Sequence, residues 1–510
     1  MSSVQLATGR RGMVVSGHKD ASLAAWKVLA EGGSVADAAI AGAAVLAVTQ
    51  PQACTLGGDA FILVHDAKAK KTEGLNASGP SPAAVTRETF KSGIPERGAL
   101  TVNVPGVVGG WEALHKRHGR QPWKSLLAPA IALAREGCQA SPVFARGTTV
   151  YRKLLDASEP SKRLFPVMEA GQPFKQPDLA RTLKTIAEGG AREFYDGDIA
   201  KSLAEACTSQ GGMLAASDLS GYQPEWVQPI EVGYRGHTVR AMPPNSFGLY
   251  LLLQLMVLEE EKLKGEPLDS ATRLLALVRA TRAAFAVGSR AVADPRFVKE
   301  DVRALLGDEG RKRLKAHSTE KMPDLGGTAV ISVVDAEGNA VSIVQSIFLV
   351  FGSGTVDPRT GILLSNRMIG FTTEAGHPNE VAPRKRPAHT LCPCQVFDAQ
   401  GEIRYAIGTP GGPGQTLTIS QVLQAVLDRG ASLAEAIAAP RWSQDLGSAA
   451  VVEHSMPQAS VDALKRAGID LQQAQPNSPF FGSAEGIHRG SEGRFTGVAD
   501  FRRDAWAMGE

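Results

Sequence analysis

Cysteine is scarce in this sequence. Five occur among 510 residues, namely Cys54, Cys138, Cys207, Cys392 and Cys394. A small and odd number in a chain of this length argues against a disulfide framework and favours a reducing compartment. Cys392 and Cys394 are spaced like a fragment of a metal site, but no second pair of ligands accompanies them. We therefore interpret both as small core residues and predict no metal.

Long apolar runs are also missing. No window approaches the 18 consecutive apolar residues that indicate a membrane-spanning helix. Residues 1–12 lack the uninterrupted apolar segment of a secretory signal peptide. Blocks of like charge are missing as well, since the net charge is +3 and the densest basic run is Arg384-Lys385-Arg386. The sequence thus predicts a cytoplasmic protein without a nucleic-acid or membrane partner.

The chain has the balance of an ordinary globular protein, with 43% apolar and 21% charged residues. The apolar spacing predicts, in order, two Ala-rich helices within 21–49, a buried strand at 60–64, a mainly helical region at 112–314, strands at 328–334 and 340–346 joined by a turn, helices at 416–429 and 433–438, and a strand-like tail at 497–508. The strands cluster toward both ends of the sequence. We therefore expect a mixed α/β fold whose core sheet pairs distant segments.

Gly326-Gly327-Thr328 opens the first strand of the predicted hairpin. A threonine hydroxyl is a poor nucleophile unless a base lies beside it, and an N-terminal threonine can use its own amine as that base. The peptide bond before the threonine must then be broken, commonly by attack of the same hydroxyl on the preceding carbonyl. Glycine suits this position because it tolerates a strained backbone. Taken alone, however, Gly-Gly-Thr before a strand is usually a plain turn.

A second glycine-dense segment, Gly408-Thr-Pro-Gly-Gly-Pro-Gly414, precedes a predicted helix. Consecutive glycine N–H groups can converge on a developing oxyanion and stabilise it. A phosphate-binding loop is a competing interpretation, but the Gly-Lys-Ser/Thr ending of a Walker loop is missing. An ordinary tight turn is the simplest interpretation of this segment in isolation.

Motifs along nearly the whole chain resemble, in the same order, those of the γ-glutamyltranspeptidase family. In the first two thirds they are Glu31-Gly-Gly-Ser-Val-Ala-Asp-Ala-Ala-Ile40, Gly57-Gly-Asp-Ala-Phe61, Val102-Asn-Val-Pro-Gly106, Gly110-Trp111, Asp218-Leu219, Tyr234-Arg-Gly236, Met242-Pro-Pro244 and Asp294-Pro-Arg-Phe297. In the last third they are Gly327-Thr328, Ser332-Val-Val-Asp335, Gly338-Asn-Ala-Val341, Phe351-Gly-Ser-Gly354, Gly361-Ile-Leu-Leu364, Gly411-Gly412, Ala438-Ala-Pro-Arg441 and Asp500-Phe-Arg-Arg503.

This resemblance implies the four-layer αββα sandwich of the N-terminal-nucleophile hydrolases. It implies that the chain cuts itself between Gly327 and Thr328 into a large subunit, residues 1–327, and a small subunit, residues 328–510. Thr328 would be the nucleophile and, through its amine, the general base. Ser346 stands where the family usually has a threonine that hydrogen-bonds this amine. Gly411 and Gly412 match the pair that forms the oxyanion hole.

The substrate-binding positions differ from those of the family. The arginine that binds the glutamyl α-carboxylate aligns with Ser78, and an asparagine close to the second hydroxyl residue aligns with Phe348. Arg367 replaces a glutamate or glutamine. Gly370 replaces an aspartate that helps to hold the α-ammonium group of the substrate. The catalytic residues therefore match the family, whereas the residues that recognise the glutamyl group do not.

These replacements favour a short amide that carries a carboxylate. Arg367 could hold the carboxylate with two parallel hydrogen bonds, although a structural salt bridge is its alternative role. Phe348 fills space that an extended glutamyl chain would need. His389 and Thr390 replace the family's paired serines, and His389 fits polar support of the site better than a direct base. The pattern is most similar to that of the oxamate amidohydrolases.

Hydrolysis of oxamate to oxalate and ammonia is accordingly the leading hypothesis. The alternatives within the family are a γ-glutamyl hydrolase or transferase and a cephalosporin-type acylase. A non-catalytic binding protein on the same fold is the alternative from another class. The expected partners are a small amide substrate and the chain's own two subunits, with a dimer of such heterodimers as one option. We expect no cofactor.

Overall fold

The computed structural model of the chain describes residues 4–316, 327–444, 449–476 and 478–510. Gly326, the first glycine of the Gly-Gly-Thr segment, lies outside the described residues. The β-strands are β1 Gln5–Gly9, β2 Gly12–Ser16, β3 Asp59–Asp66, β4 Lys71–Ala77, β5 Cys138–Gln139, β6 Pro173–Phe174, β7 Glu225–Val227, β8 Ile230–Tyr234, β9 His237–Ala241, β10 Gly327–Asp335, β11 Ala340–Phe348, β12 Val356–Asp357, β13 Ile362–Leu363, β14 Cys394–Phe397, β15 Ile403–Gly408, β16 Trp442–Gln444, β17 Ala450–Val452, β18 Leu471–Gln473, β19 Glu485–Arg489, β20 Phe495–Ala499 and β21 Trp506–Gly509. The α-helices are α1 Lys19–Ala30, α2 Val35–Thr49, α3 Val107–His118, α4 Trp123–Glu136, α5 Pro142–Val150, α6 Arg152–Leu155, α7 Glu159–Leu164, α8 Pro177–Gly189, α9 Ala191–Asp196, α10 Asp198–Thr208, α11 Ala216–Ser220, α12 Gly248–Glu259, α13 Ala271–Gly288, α14 Val302–Leu305, α15 Asp308–Ala316, α16 Gly414–Leu427, α17 Leu433–Ala438 and α18 Gln458–Arg466.

Two large sheets form the centre of the fold. In the described part of the chain one sheet has the strand order β21-β2-β10-β11-β3-β4-β7, and the other has the order β1-β20-β19-β15-β14-β9-β8. The first sheet joins strands from both ends of the sequence through antiparallel pairs, such as β2 with β10 and β11 with β3. The expectation that the core sheet pairs distant segments is confirmed.

Strand β10 shows why the sheets are layered between helices. Alternate residues of a strand point to opposite faces. Ile331 and Val333 lie in the core that contains the α1 and α2 side chains, whereas Val330 and Val334 lie in clusters shared with the other sheet. Helices α12 and α16 contact the outer face of that second sheet. The architecture is therefore the four-layer αββα sandwich that the resemblance implied.

The two Ala-rich helices are confirmed as α1 and α2. Ser34 caps α2 with a capping box, because its hydroxyl accepts from the Asp37 N–H while the Asp37 carboxylate accepts from the Ser34 N–H. Every residue of α2 is buried. A Cβ built on Gly42 would lie 2.2 Å from Ile331 Cδ1, so only glycine lets α2 approach β10 this closely. Small residues thus place this helix directly against the strand that carries Thr328.

The structure departs from the sequence predictions in two regions. The mainly helical middle also contains β7, β8 and β9, which complete the edges of both sheets. The tail is two strands, β20 and β21, rather than one continuous strand. Asp500 causes the turn between them, since its buried carboxylate accepts from the backbone N–H groups of Ala484 and Arg502. Among the described helices, none is both long and apolar enough to cross a membrane.

Candidate active site

Three neighbouring strands bring the candidate catalytic residues together. Thr328 is the second residue of β10 and lies at an irregularity in the pairing with β11, between the paired residues Gly327 and Ala329. Ser346 lies near the end of β11 and pairs with Asp59 of β3. Adjacent strands are about 5 Å apart, so Asp59 is roughly 10 Å from Thr328 across β11. Irregular pairing of this kind re-aims side chains next to active sites in many sheets.

The carbonyl oxygen of Gly327 accepts hydrogen bonds from two hydroxyl groups. Thr328 Oγ1 donates to it over 2.8 Å, and Ser346 Oγ donates to it as well. Ser346 Oγ also accepts from the Phe348 N–H over 2.7 Å, which fixes its orientation. Thr328 is only 2% exposed. The hydroxyl that is expected to attack therefore lies beside the peptide carbonyl that it would attack, and a second donor polarises that carbonyl.

We expect Ser346→Ala to slow turnover about 100- to 1000-fold, the usual loss when a base is misplaced. The same change removes a donor from the Gly327 carbonyl, so cleavage of the chain should slow as well. Ser342→Ala is the matched control, because Ser342 is a buried hydroxyl residue of the same strand that bonds Ser332 instead. Steady-state rates and the mass of each variant over time measure both effects. Wild-type rates in Ser346→Ala would remove Ser346 from the site.

The glycine-dense turn adjoins Thr328. Gly411 has φ +132° and Gly412 has φ +55°, backbone conformations that favour glycine. Gln415, in the first turn of α16, donates from Nε2 to Thr328 Oγ1 over 3.2 Å. Neither the Gly411 nor the Gly412 N–H donates a hydrogen bond to another described residue. Both N–H groups are therefore available to an external acceptor.

A second cluster, on the other side of β11, consists of Asp59, Arg367 and His389. All three side chains are fully buried. Asp59 Oδ2 lies 3.8 Å from Arg367 Nε and 3.3 Å from His389 Nε2. The Asp59 carboxylate also accepts from the Gly79 N–H and from the Asn103 side chain. Several donors from different parts of the chain thus bind this one carboxylate and fix its position.

Arg367 is a buried cation with no hydrogen bond to any described residue. Its guanidinium carbon lies 4.1 Å from the centroid of the Phe348 ring, and none of its three nitrogens has a hydrogen-bond partner. Burial lowers the pKa of Arg367 to about 9, against the opposing effect of Asp59, so the group stays charged at neutral pH. An unsatisfied buried cation is costly unless a ligand supplies acceptors. The side chain is therefore suited to hold an anion.

His389 is neutral in this cluster. Burial lowers the pKa of His389 to about 4, and the nearby charge of Arg367 acts in the same direction. The Leu391 N–H donates to Nδ1 over 3.4 Å, so the hydrogen is assigned to Nε2, which donates to Asp59. The histidine therefore supports the Asp59 carboxylate and has no contact with Thr328 that would make it the base.

The other candidate binding residues lie around this cluster. The Ser78 hydroxyl donates to Asn76 Oδ1 and accepts from the Asn245 side chain, so its bonds are made within the protein. Thr390 Oγ1 is buried and has no partner among the described residues. A Cβ built on Gly370 would lie 2.6 Å from the Ala388 carbonyl oxygen. The backbone here leaves no room for the aspartate that the family usually carries.

Known proteins resemble this chain over nearly its whole length. The γ-glutamyltranspeptidase family model matches residues 21–510. The chain belongs to the γ-glutamyltranspeptidase family. It is 35% identical to the glutathione hydrolase-like YwrD proenzyme of Bacillus subtilis (strain 168), covering 98% of this chain and 99% of the relative. It is 32% identical to the oxamate amidohydrolase proenzyme of Klebsiella pneumoniae, covering 98% of each.

Among solved structures, cephalosporin acylase from Bacillus halodurans is similar with a TM-score of 0.93 and 31% identity, covering 99% of this chain and 97% of that one. The fold and the enzyme class predicted from the sequence are confirmed. The chain is an enzyme of the family of N-terminal-nucleophile amidohydrolases and transferases.

Three residues of this family member were not singled out from the sequence. Asp59 and Asn103 lie within the motifs that carry the family resemblance. The contacts of Asp59 with Asn103 and with His389, however, join segments far apart in the chain. A carboxylate that opens an otherwise apolar strand is the signal that could have identified Asp59. Gln415 directly follows the glycine-dense turn, but only the fold shows that it reaches Thr328.

Proposed function

We propose that this enzyme is a self-cleaving amidohydrolase that acts on a small carboxylate-bearing amide, with oxamate as the leading candidate. Cleavage between Gly327 and Thr328 would give a large subunit of residues 1–327 and a small subunit of residues 328–510. The observation that carries the substrate choice is the unsatisfied Arg367 cation, which is stacked on Phe348, the residue that pairs with Gly327. The cytoplasmic location and the assembly into a dimer of heterodimers stay predictions.

Maturation begins with attack of Thr328 Oγ on the carbonyl carbon of Gly327. The new C–O bond replaces the C–N bond, and the hydroxyl proton passes to the Thr328 nitrogen. Water then hydrolyses the ester and leaves a carboxylate on Gly327 and a free amine on Thr328. Hydrogen bonds from Ser346 to the Gly327 oxygen support this step, because negative charge develops on that oxygen.

Turnover follows the same chemistry on an external amide. The Thr328 amine takes the proton from Oγ, and Oγ attacks the amide carbon of the substrate. The tetrahedral oxyanion faces the Gly411 and Gly412 N–H groups. Ammonia leaves with the proton that the amine carries, and water hydrolyses the ester on Thr328 to release oxalate. Arg367 holds the carboxylate of oxamate throughout.

The packing around Arg367 favours a short substrate. Arg367 stacks on Phe348, and Phe348 pairs with Gly327 in the hairpin. The carboxylate site therefore lies against the side chain of the residue that pairs with Gly327, and the Phe348 ring takes up space that a longer acyl chain would need. Oxamate has only two carbons and needs the least space. An α-ammonium group would meet the packed backbone at Gly370, where no acidic side chain is present.

A cephalosporin-type acylase is the second candidate function. It is favoured by the similarity to the Bacillus halodurans acylase, and a glutaryl group also ends in a carboxylate that Arg367 could bind. The two functions differ in the length of the acyl group. A γ-glutamyl hydrolase or transferase and a non-catalytic binding protein are the remaining outcomes that the substrate assay distinguishes.

The test is steady-state assay of the cleaved protein with oxamate, oxamide, a glutaryl amide and γ-glutamyl-p-nitroanilide. We expect oxamate to have the highest kcat/KM and to release ammonia and oxalate in equal amounts. γ-Glutamyl-p-nitroanilide should be turned over barely or not at all. If the anilide is the better substrate by about tenfold, a difference of 1.4 kcal/mol, the proposed pocket is wrong although the threonine chemistry could stand. A preference for the glutaryl amide would instead indicate an acylase.

A further inference from the structure

A small cavity lies against Thr328. Its volume is about 10 Å³, and its lining includes Gln52, Thr328, Pro410, Ser483 and Glu485. A polar cavity of this size can hold about one water molecule, provided that two or more polar groups bind it. The cavity is separate from the Arg367 cluster, because neither Arg367 nor Asp59 contributes to its lining.

Two of the lining side chains have an oxygen without a donor. Glu485 opens β19 and is 1% exposed; its Oε1 accepts from the Ser483 hydroxyl over 2.8 Å. Its Oε2 has no hydrogen-bond partner among the described residues, and neither does Gln52 Oε1. Buried acceptors are normally paired, so two unpaired ones beside the same cavity point to a donor that the uncut chain does not supply.

Burial favours the protonated form of Glu485 in the uncut chain. Burial raises the pKa of Glu485 to about 8, and the Asp500 carboxylate acts in the same direction. The Ser483 hydroxyl and the cations Arg503 and Arg441 act in the opposite direction. Arg441 pairs with Asp500, and Arg503 interacts with Asp500 and Asp504 as well as with Glu485. Arg503 also lines the cavity, so its charge is shared among Glu485, Asp504 and Asp500.

We propose that Glu485 and Gln52 form the acceptor site for the ammonium group that cleavage creates on Thr328, with Glu485 exchanging its proton through one water molecule in the cavity. The inference rests on the proposed function, since the amine exists only after cleavage. The exchange converts an ammonium and a carboxylate into a neutral amine and a carboxylic acid, so it leaves no net charge behind. Glu485 is thus a positioning residue for the base rather than a group that touches the substrate.

The inference sets the pH dependence of turnover. Thr328 acts as a base only when its amine is neutral. In a plot of kcat/KM against pH, the rise on the acidic side (the acidic limb) therefore reports loss of the ammonium proton. In the cleaved chain the ammonium charge favours the ionised form of Glu485, and this carboxylate in turn stabilises the ammonium form and raises the pKa of the amine. Removing that carboxylate should therefore move the acidic limb to lower pH, by about one unit for an opposite charge at this range.

The experiment measures kcat/KM against pH for wild type, Glu485→Gln and Glu492→Gln, using the amide that the cleaved wild type turns over best. Glu492 is the matched control because it is an exposed carboxylate in the turn of the same β19–β20 hairpin. We expect a limb at lower pH in Glu485→Gln and an unchanged limb in Glu492→Gln. Lower rates by the same factor at every pH in Glu485→Gln would show a purely structural role and overturn the inference.

If Glu485→Gln does not fold, the pH dependence of kcat/KM is measured for Glu485→Asp instead. Its carboxyl is withdrawn by one methylene, so the limb should move in the same direction by a smaller amount, and an unshifted limb overturns the inference. Denaturing mass spectrometry of the wild type separates this inference from the proposed function. An uncut but folded wild type contradicts both, whereas a cut, active wild type with an unshifted limb in the variants contradicts only the role of Glu485.

Discussion

Thr328→Ala should yield a single uncut chain with no amidase activity. The change removes the only atom that can attack the Gly327 carbonyl in the proposed step, and it also removes the nucleophile of turnover. The wild type should give two masses, those of residues 1–327 and 328–510. Denaturing mass spectrometry before and after incubation measures the difference directly.

The fold should survive this substitution. Thr328 Oγ1 makes hydrogen bonds with Gly327 and Gln415, and each contributes about 1 kcal/mol net to a total stability of roughly 5–15 kcal/mol. Thr328→Ser is the matched control, because it keeps the hydroxyl and should still be cut. Cleavage of Thr328→Ala at the same junction would show that another group attacks, and threonine-dependent maturation would be the wrong mechanism.

The sequence predicted best where structure is local. Residues 433–438 form a helix with the predicted bounds, and the hairpin around Asp335 has strands that extend only slightly beyond the prediction. Helix α2 is also evident from sequence, since its Ser34 cap and its small residues are contiguous. The tail was predicted less well because a buried Asp500 bends it, and its partners Ala484 and Arg441 are far from it in the chain.

The candidate site also consists of a part formed by local contacts and a part formed by long-range contacts. Gly327, Thr328 and Ser346 belong to one hairpin, so a sequence motif describes them and the structure brings them into contact. The binding cluster depends on long-range packing instead. Arg367 packs on Phe348 although strands β12 and β13 lie between them in the chain, and Asp59 contacts His389, which is 330 residues away in sequence. Replacements at these positions indicated a changed substrate, but the shared carboxylate could not be inferred without the fold.

The same contacts lead to the prediction with the sharpest consequence for substrate choice. Arg367→Met should lower kcat/KM for oxamate about 30-fold to several thousand-fold, since loss of one partner of a buried charged pair costs about 2–5 kcal/mol. Arg367→Lys should restore only part of this loss, because an ammonium keeps the charge but cannot form two parallel hydrogen bonds.

Oxamide separates a binding role of Arg367 from a structural one. This diamide has the size of oxamate but no carboxylate, so the wild type should prefer oxamate strongly, and Arg367→Met should lose most of that preference while turning over oxamide at close to the wild-type rate. Arg404→Met is the matched control, because Arg404 pairs with Asp398 near the start of β15 and faces no site residue named above. Equal losses with both substrates in Arg367→Met would mean that the arginine serves only to neutralise Asp59, since a buried carboxylate left unpaired would disturb the site whichever amide is bound.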